Sequence, residues 1–258
     1  MNIPNISYVF ASVLFILGIK KLSHPKSAQN GNTLAAVGML IAIISTLLSE
    51  GSLNFELIFI GMIVGAIIGA IFATRVEMTQ MPQMVAIFNG FGGGASALIA
   101  AAEFLKSGSI TTFTLTTIIF SVFIGTLTFT GSFIAFGKLQ GFIAGKPVIF
   151  PGQKFFNAFL AVFLFYIGYQ IIDNPFIIPG QKIDMSYFYY LIAVSAVLGI
   201  SLTIPIGGAD MPVVISLLNS YSGIAAAGTG FVLMNNGLII AGSLVGASGI
   251  ILTNIMCK

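Results

Sequence analysis

The chain of 258 residues carries a formal net charge of +3, and apolar residues make up 57% of it while charged residues make up only 7%. A soluble domain carries about 25% charged residues. So few charges exclude a soluble globular protein and predict an integral membrane protein. The single cysteine, Cys257, excludes a disulfide within the chain, and the single histidine, His24, excludes a histidine cluster, so no metal site is expected.

Nine apolar stretches are close to the ~20 residues that a helix needs to cross a bilayer. In chain order they cover residues 3–19, 33–49, 55–74, 82–102, 111–136, 155–172, 186–205, 211–233 and 236–256. They are too long for barrel strands and lack period-two alternation, which favours helices. The first lacks the basic start and Ala-x-Ala site of a signal peptide and is kept as a helix. The sequence thus predicts an all-α integral membrane protein, a bundle of about nine transmembrane helices forming a single domain over residues 1–258.

The charged residues divide unequally between the two sides of this bundle. The loops after odd-numbered helices carry Lys20, Lys21, Lys26, Arg75, Lys138, Lys146, Lys154 and Lys258, whereas the other side carries Lys106 and Lys182. The acids lean the other way, with Glu50, Glu56, Glu103, Asp173 and Asp184 opposite Glu77 and Asp210. Because cytoplasmic loops carry the basic excess, the N-terminus is predicted outside and the C-terminus in the cytoplasm. The basic residues are scattered over separate loops, so no nucleic-acid partner is expected.

Small residues recur one helical turn apart in the third and ninth stretches. The third contains a GxxxGxxxG pattern, and the ninth contains a GxxxG pattern with a further glycine beyond it. Glycines at this spacing let membrane helices approach closely. Helix packing is therefore predicted at Gly61, Gly65, Gly69, Gly246 and Gly249.

The fourth and eighth stretches begin alike, with "MPQMVAIFNGFGG" at residues 81–93 and "MPVVISLLNSYSG" at residues 211–223. Pro82 and Pro212 suit the first helical turn, where a missing N–H costs nothing. Asn89 and Asn219 each follow eight residues after the methionine, so both are predicted at the same depth. A buried amide needs a partner. The two asparagines are either hydrogen-bonding links between helices or part of a polar pathway.

The eighth and ninth stretches carry further hydroxyl groups. Ser216, Asn219 and Ser222 are three residues apart, which predicts that they share one helix face, and Ser248 is a candidate on the ninth stretch. Hydroxyls and amides both donate and accept hydrogen bonds, so they can order a chain of water. A proton pump normally needs a titrating group, yet no charged residue or histidine lies in the middle of any stretch. That group is therefore missing or comes from another chain.

Charged residues precede both Met-Pro pairs. Asp210 either caps the eighth helix and complements its dipole, or lies at the cytoplasmic mouth as a proton port or a contact for a soluble domain. Arg75 and Glu77, before the fourth helix, are either interfacial charges or the counterpart of Asp210.

Several segments resemble one family. The segments "RVEMTQMPQMVA", "GGADMPVVISLLNSYSGIAAAGTGF", "GSLVGASGIILTNIMCK" and "ASVLFILGIKKLSHPKSAQNGN" are similar to the membrane part of the β subunit of proton-translocating NAD(P) transhydrogenase. The resemblance implies that hydride passes between NADH and NADP+ in soluble domains while protons cross the membrane part. It implies a partner α subunit with the NAD-binding domain and extra transmembrane helices, a C-terminal NADP-binding domain, a dimer of protomers and a bacterial inner membrane.

The resemblance also implies that this chain binds no cofactor itself, has no catalytic residue and is a fragment, an engineered piece or a naturally split product. Asn89 matches a position where some members have an intramembrane histidine, which in others lies on a partner-chain helix. Asn219 and the segment around Ser248 match positions that affect proton transfer and its coupling to NADP binding. Asp210 matches an acid thought to communicate with the NADP-binding domain. Asn89, Asn219, Ser222 and Ser248 are thus the expected proton pathway, and Asp210, Arg75 and Glu77 the expected coupling residues.

Two other functions remain open on the sequence. A secondary transporter or solute channel with an Asn/Ser pathway predicts substrate flux without nucleotide-binding domains. A membrane anchor for nucleotide-binding subunits predicts that loss of Asn219 affects assembly alone. A βαβ dinucleotide-binding pattern encoded beyond Lys258, or an adjacent α chain, would favour the transhydrogenase.

Overall fold

The computed structural model describes residues 3–49, 54–106, 110–173 and 185–257. Within these ranges it contains nine α-helices, each long and apolar enough to cross a membrane, which confirms the all-α prediction. They are α1 (Ile3–Leu22), α2 (Ala28–Ser49), α3 (Phe55–Arg75), α4 (Met81–Leu105), α5 (Thr112–Leu139), α6 (Gln153–Asp173), α7 (Ser186–Thr203), α8 (Met211–Val232) and α9 (Asn236–Met256). Short 3-10 turns at Met78–Gln80 and Gly208–Asp210 precede α4 and α8. The orientation in the membrane stays a prediction, and Glu50, Lys182, Asp184 and Lys258, which it used, lie outside the described residues.

Several helices extend further than their apolar stretches. Lys20 and Lys21 lie in the last turn of α1, and Lys138 lies in the last turn of α5, rather than in loops. A lysine continues a helix well because its apolar stem packs along the helix while its ammonium group meets the carbonyls of the C-terminal turn. The hydropathy pattern ends earlier than the helix for this reason.

The described residues form two compact units, one up to Gln80 and one from Met81 onward. In the first unit α1 and α2 make an antiparallel hairpin in which the Tyr8 hydroxyl lies 3.0 Å from Thr46 Oγ1. A Cβ at Gly31 would lie 2.7 Å from the Gly18 carbonyl, so the two backbones nearly touch. Helix α3 has no buried residue. The single domain over residues 1–258 stays a prediction.

The glycines of α3 face open space within the described part of the chain. A Cβ built at Gly61, Gly65 or Gly69 would meet no atom within 4 Å. Helix packing through this face therefore stays a prediction.

In the second unit α5 and α8 are the most buried helices, with about half of each span enclosed. Helices α4, α7 and α8 pack on α5, α9 packs on α8, and α6 packs mainly on α7. The core is built from apolar side chains of several helices. Its fully buried members include Ile118, Val122, Ile167, Ile171, Leu191 and Met211.

Helices α8 and α9 pack through glycines. A Cβ at Gly249 would lie 2.8 Å from Ser220 Cβ, and one at Gly246 would lie 3.1 Å from Ile224 Cγ1. Ser216 Oγ donates to the Gly249 carbonyl at 3.2 Å, a bond that such close backbones permit. The structure thus places both α9 glycines against α8.

Candidate polar pathway between α4, α5 and α8

The two helices that begin with Met-Pro pack side by side. A Cβ at Gly92 of α4 would lie 3.0 Å from Ser222 Oγ of α8, and further along both helices Thr229 Oγ1 donates to the Ser96 carbonyl at 3.2 Å. Residue numbers rise together along both helices from the first contact to the second, so α4 and α8 are parallel. Gly92 and Ser222 each follow eleven residues after the methionine, so Asn89 and Asn219 lie at the same level.

Asn89 is buried, with 7% of its surface exposed. Its amide nitrogen donates to Ser132 Oγ of α5 at 2.9 Å. Its carbonyl oxygen Oδ1 is also buried and accepts no hydrogen bond from the described residues. The amide nitrogen of Asn89 therefore links α4 to α5, and the amide oxygen remains available to a hydrogen-bond donor.

Asn219 lies in a different setting, because it is half-buried and no hydrogen bond joins its side chain to the described residues. Its neighbours one turn away point to different helices. Ser216 donates to the α9 carbonyl of Gly249, whereas Ser222 faces Gly92 of α4. Ser216 and Ser222 are six residues apart, so they point in clearly different directions from the helix axis. The three side chains therefore do not share one face as predicted. Asn219 points between the directions of α4 and α9.

Ser248 is not brought to this place. Its hydroxyl donates to the carbonyl of Val245 in its own helix at 3.0 Å. The side of α9 that meets α8 carries Gly242, Gly246 and Gly249 instead. The structure therefore brings Ser222 against Gly92, one helical turn from Asn89 on α4, and leaves Ser248 on another side of α9.

Helix α5 supplies polar groups that the sequence reading missed. Ser132, Thr128 and Ser121 are fully buried. Ser132 bonds Asn89, a Cβ at Gly93 would lie 2.8 Å from Thr128 Cβ, and a Cβ at Gly228 would lie 2.5 Å from Ser121 Oγ. These hydroxyls lie on one helix face with Gly125, at spacings of three and four residues. That spacing is visible in the sequence and could have predicted a polar face on α5.

These groups define the polar seam, a set of side chains between α4, α5 and α8. Its members are Asn89, Ser96, Ser121, Thr128, Ser132, Ser222 and Thr229. All carry amides or hydroxyls, which donate and accept but do not titrate near neutral pH. The seam can relay a proton or hold water, but it cannot by itself hold a proton as a titrating group.

The expected coupling residues lie at helix ends. Asp210 is exposed and is the residue before α8, yet its side chain makes no capping hydrogen bond. Asp210 therefore does not cap α8 through a hydrogen bond. Its negative charge still lies at the positive end of the helix dipole. Arg75 and Glu77 are exposed and belong to the first unit, and Glu77 accepts a bond from Thr79 Oγ1 at 3.4 Å.

Metal ligands do not gather in the part of the chain that the structure describes. No three His, Cys, Asp or Glu side chains cluster there. The arrangement as described is one of hydrogen-bonding groups within a helix bundle.

Comparison with known proteins identifies one family. A family profile described as "NAD(P) transhydrogenase beta subunit" matches residues 4–258. Two curated relatives named "NAD(P) transhydrogenase subunit beta", one from Rhodospirillum rubrum and one from a designated strain of that species, are each 46% identical over 260 residues. The alignment covers 98% of this chain and 54% of each relative, so the chain spans about half the length of the curated relatives it matches.

Proposed function

Because the chain belongs to the NAD(P) transhydrogenase beta subunit family, we propose that it carries protons across the membrane while hydride passes between NADH and NADP+ in attached soluble domains. Family membership confirms the resemblance read from the quoted motifs. Switching of the membrane domain between inward-open and outward-open states would couple the two events, provided that the NADP-binding domain binds the two states with different affinity.

The observation that carries the proton pathway is the Asn89–Ser132 bond beside the Gly92–Ser222 contact. Burying an amide inside a membrane bundle is costly unless it is bonded, and Asn89 keeps a buried oxygen unbonded by the described residues. That oxygen can accept a hydrogen bond from water or from a protonated group. In the proposal Asn89, Asn219 and Ser222 conduct the proton, with Ser248 at a further point of the path.

A titrating group is still needed. The polar seam contains none, so the proposal assigns it to a transmembrane helix of the partner α subunit, which also brings the NAD-binding domain. An NADP-binding domain and a second protomer complete the assembly. This chain itself would hold neither nucleotide.

Coupling is assigned to the helix ends. Asp210 is exposed directly before α8, the helix that carries Asn219 and Ser222. A soluble domain that binds Asp210 in one state only would bias the position of α8. Arg75 and Glu77, before α4, are assigned the same role. In this proposal these residues and the C-terminus lie on the cytoplasmic side of a bacterial inner membrane, and the N-terminus lies outside.

The test is Asn219→Leu in the complex reconstituted into vesicles with its partner chains. Hydride transfer and proton uptake are measured in the same vesicles. Proton uptake per hydride should fall, because Leu can neither donate nor accept. Asn254→Leu, the same change at an exposed position of α9, is the matched control and should leave the ratio unchanged.

The other outcomes separate the alternatives. Normal pumping with normal hydride transfer in Asn219→Leu would contradict the pathway. Loss of assembly alone would favour a membrane anchor, and solute flux without nucleotide domains would favour a transporter or channel.

A further inference from the structure

Lys138 is buried at the end of α5, with 4% of its surface exposed. Its ammonium nitrogen Nζ donates to the carbonyl oxygens of Ile204 at 2.5 Å, Ile206 at 2.7 Å and Lys146 at 3.2 Å. Three acceptors match the three N–H bonds of an ammonium group. The lysine therefore binds two separate chain segments at once, the connection from α5 to α6 and the connection from α7 to α8.

The ammonium group has no acidic partner among the described residues, where the one ion pair joins Lys106 to Glu103. Its stabilisation comes from helix ends instead. Lys138 lies in the last turn of α5, and Ile204 is the C-cap residue of α7. The C-terminal end of a helix carries partial negative charge, and here two such ends meet one buried cation.

Backbone bonds join the same two connections. The Gly208 N–H donates to the Gly145 carbonyl at 2.8 Å, and the Val148 N–H donates to the Ile204 carbonyl at 3.3 Å. Ile204 thus accepts from both Lys138 and the neighbouring connection. Four residues beyond Ile206 the chain reaches Asp210 and then α8.

We infer that Lys138 is a positioning residue, which fastens the α7–α8 connection to the end of α5 and thereby fixes Asp210 and the start of α8. The Lys138 clasp, meaning Lys138 with the carbonyls of Lys146, Ile204 and Ile206, makes the two connections move as one piece. Its role in coupling rests on the proposed function, but the clasp itself does not. A soluble domain that binds and shifts either the α5–α6 or the α7–α8 connection would therefore shift the other as well.

The clasp is tested first by cross-linking, without reference to activity. Cys257 is changed to Ser, and Gly145→Cys and Gly208→Cys are introduced together. Both positions accept a side chain, because a Cβ at Gly145 meets nothing within 4 Å and one at Gly208 lies 3.7 Å from Gly145 Cα. A disulfide needs the two Cα atoms within about 7 Å of each other, and the hydrogen bond of 2.8 Å from the Gly208 N–H to the Gly145 carbonyl holds the two residues that close. The rate of disulfide formation in membranes that contain the full complex then reports how closely the connections are held.

Lys138→Met should lower that rate about tenfold or more, as loss of a charge-assisted hydrogen bond predicts. Lys154→Met removes the same charge from an exposed position nearby in the chain and should leave the rate unchanged. If Lys138→Met does not accumulate, Lys138→Gln, which keeps two amide donors, should lower the rate by a smaller factor. An unchanged rate in whichever of these variants is made would overturn the clasp.

The coupling role is tested in reconstituted vesicles. Proton uptake per hydride should fall in Lys138→Met while the amount of assembled complex stays constant. Oxidising the two cysteines introduced by Gly145→Cys and Gly208→Cys to a disulfide should restore the ratio, because the covalent bond then holds the connections together. A merely structural lysine would lower both activities together and leave the ratio unchanged, and that result would overturn the positioning role. A parent complex that moves no protons would contradict the proposed function, while the cross-linking result would still decide the clasp.

Discussion

Gly92 and Ser222 occupy equivalent places in two helices that begin alike, and they face each other. A Cβ at Gly92 would lie 3.0 Å from Ser222 Oγ, and each residue follows eleven residues after its Met-Pro methionine. The matched segments are therefore neighbours in the bundle and parallel. Their asparagines differ all the same, because Asn89 bonds α5 while Asn219 bonds no described residue. The matched segments place the two amides at the same depth, whereas α5 provides a hydrogen-bond partner for Asn89 alone.

Gly223→Ala should destabilise the chain by about 1–3 kcal/mol, the usual cost of overpacking a close contact. A Cβ there would clash with the Gly246 backbone nitrogen and lie 2.8 Å from the Gly242 carbonyl, and backbone atoms cannot yield as a side-chain end can. The measurement is thermal unfolding of the purified chain in detergent.

The matched control is Gly168→Ala in α6, where a Cβ would meet one atom within 4 Å, Ile119 Cγ2 at an ordinary 3.4 Å. Alanine favours a helix over glycine by roughly 0.5–1 kcal/mol, so this variant should be neutral or slightly more stable. Equal losses in both variants would contradict the described α8–α9 contact as the cause.

The Asn89–Ser132 bond should be measurable as an interaction energy between the two side chains. In a double-mutant cycle with Asn89→Leu and Ser132→Ala, we expect about 0.6 kcal/mol and at most about 1.7 kcal/mol, the range for hydrogen bonds between membrane helices. The same cycle with Asn219→Leu and Ser132→Ala should give a value near zero. An interaction energy near zero for the Asn89 pair would show that the bond contributes nothing to stability.

The sequence predicts the helices well and their neighbours poorly. Hydropathy is a local property, so every apolar stretch became a helix with ends shifted by a few residues. The contact between Gly92 and Ser222 depends on how several helices pack, and no spacing within α4 or α8 contains that information. The stripe of Ser121, Thr128 and Ser132 did have a readable period, but it lies in the fifth stretch, which carries neither of the matched asparagines.

Lys138 shows a different limit of sequence reading. A lysine at the end of an apolar stretch is typical of an interfacial charge, and the sequence reading placed it in a loop. The helix continues through it, and the connection from α7 to α8 covers it. Its burial follows from residues more than sixty positions away, so no local pattern predicts it.

Ser121→Ala should leave stability unchanged or raise it slightly. Ser121 Oγ is fully buried and has no hydrogen-bond partner among the described residues, and an unsatisfied buried polar group costs about 1–3 kcal/mol. Unfolding in detergent measures the change, with Ser132→Ala as the control that loses a real bond to Asn89. Strong destabilisation by Ser121→Ala would mean that the hydroxyl has a partner in the membrane.

Asp210→Asn should separate a capping role from a coupling role. The Asp210 side chain makes no capping hydrogen bond, so the free energy of unfolding should change by less than about 0.5 kcal/mol, as for ordinary surface substitutions. Asn235 is the contrast, because its side chain accepts from the Leu238 N–H at 3.0 Å, and Asn235→Ala should cost about 1 kcal/mol.

In reconstituted vesicles Asp210→Asn should nevertheless lower proton uptake per hydride, because the exposed charge is the proposed contact for the soluble domain. Unfolding and coupling are measured on the same preparation. A loss of stability as large as that of Asn235→Ala would assign Asp210 to the helix end after all. A stable variant with unchanged coupling would remove Asp210 from the mechanism and leave the contact with the soluble domain to other residues of the two connections.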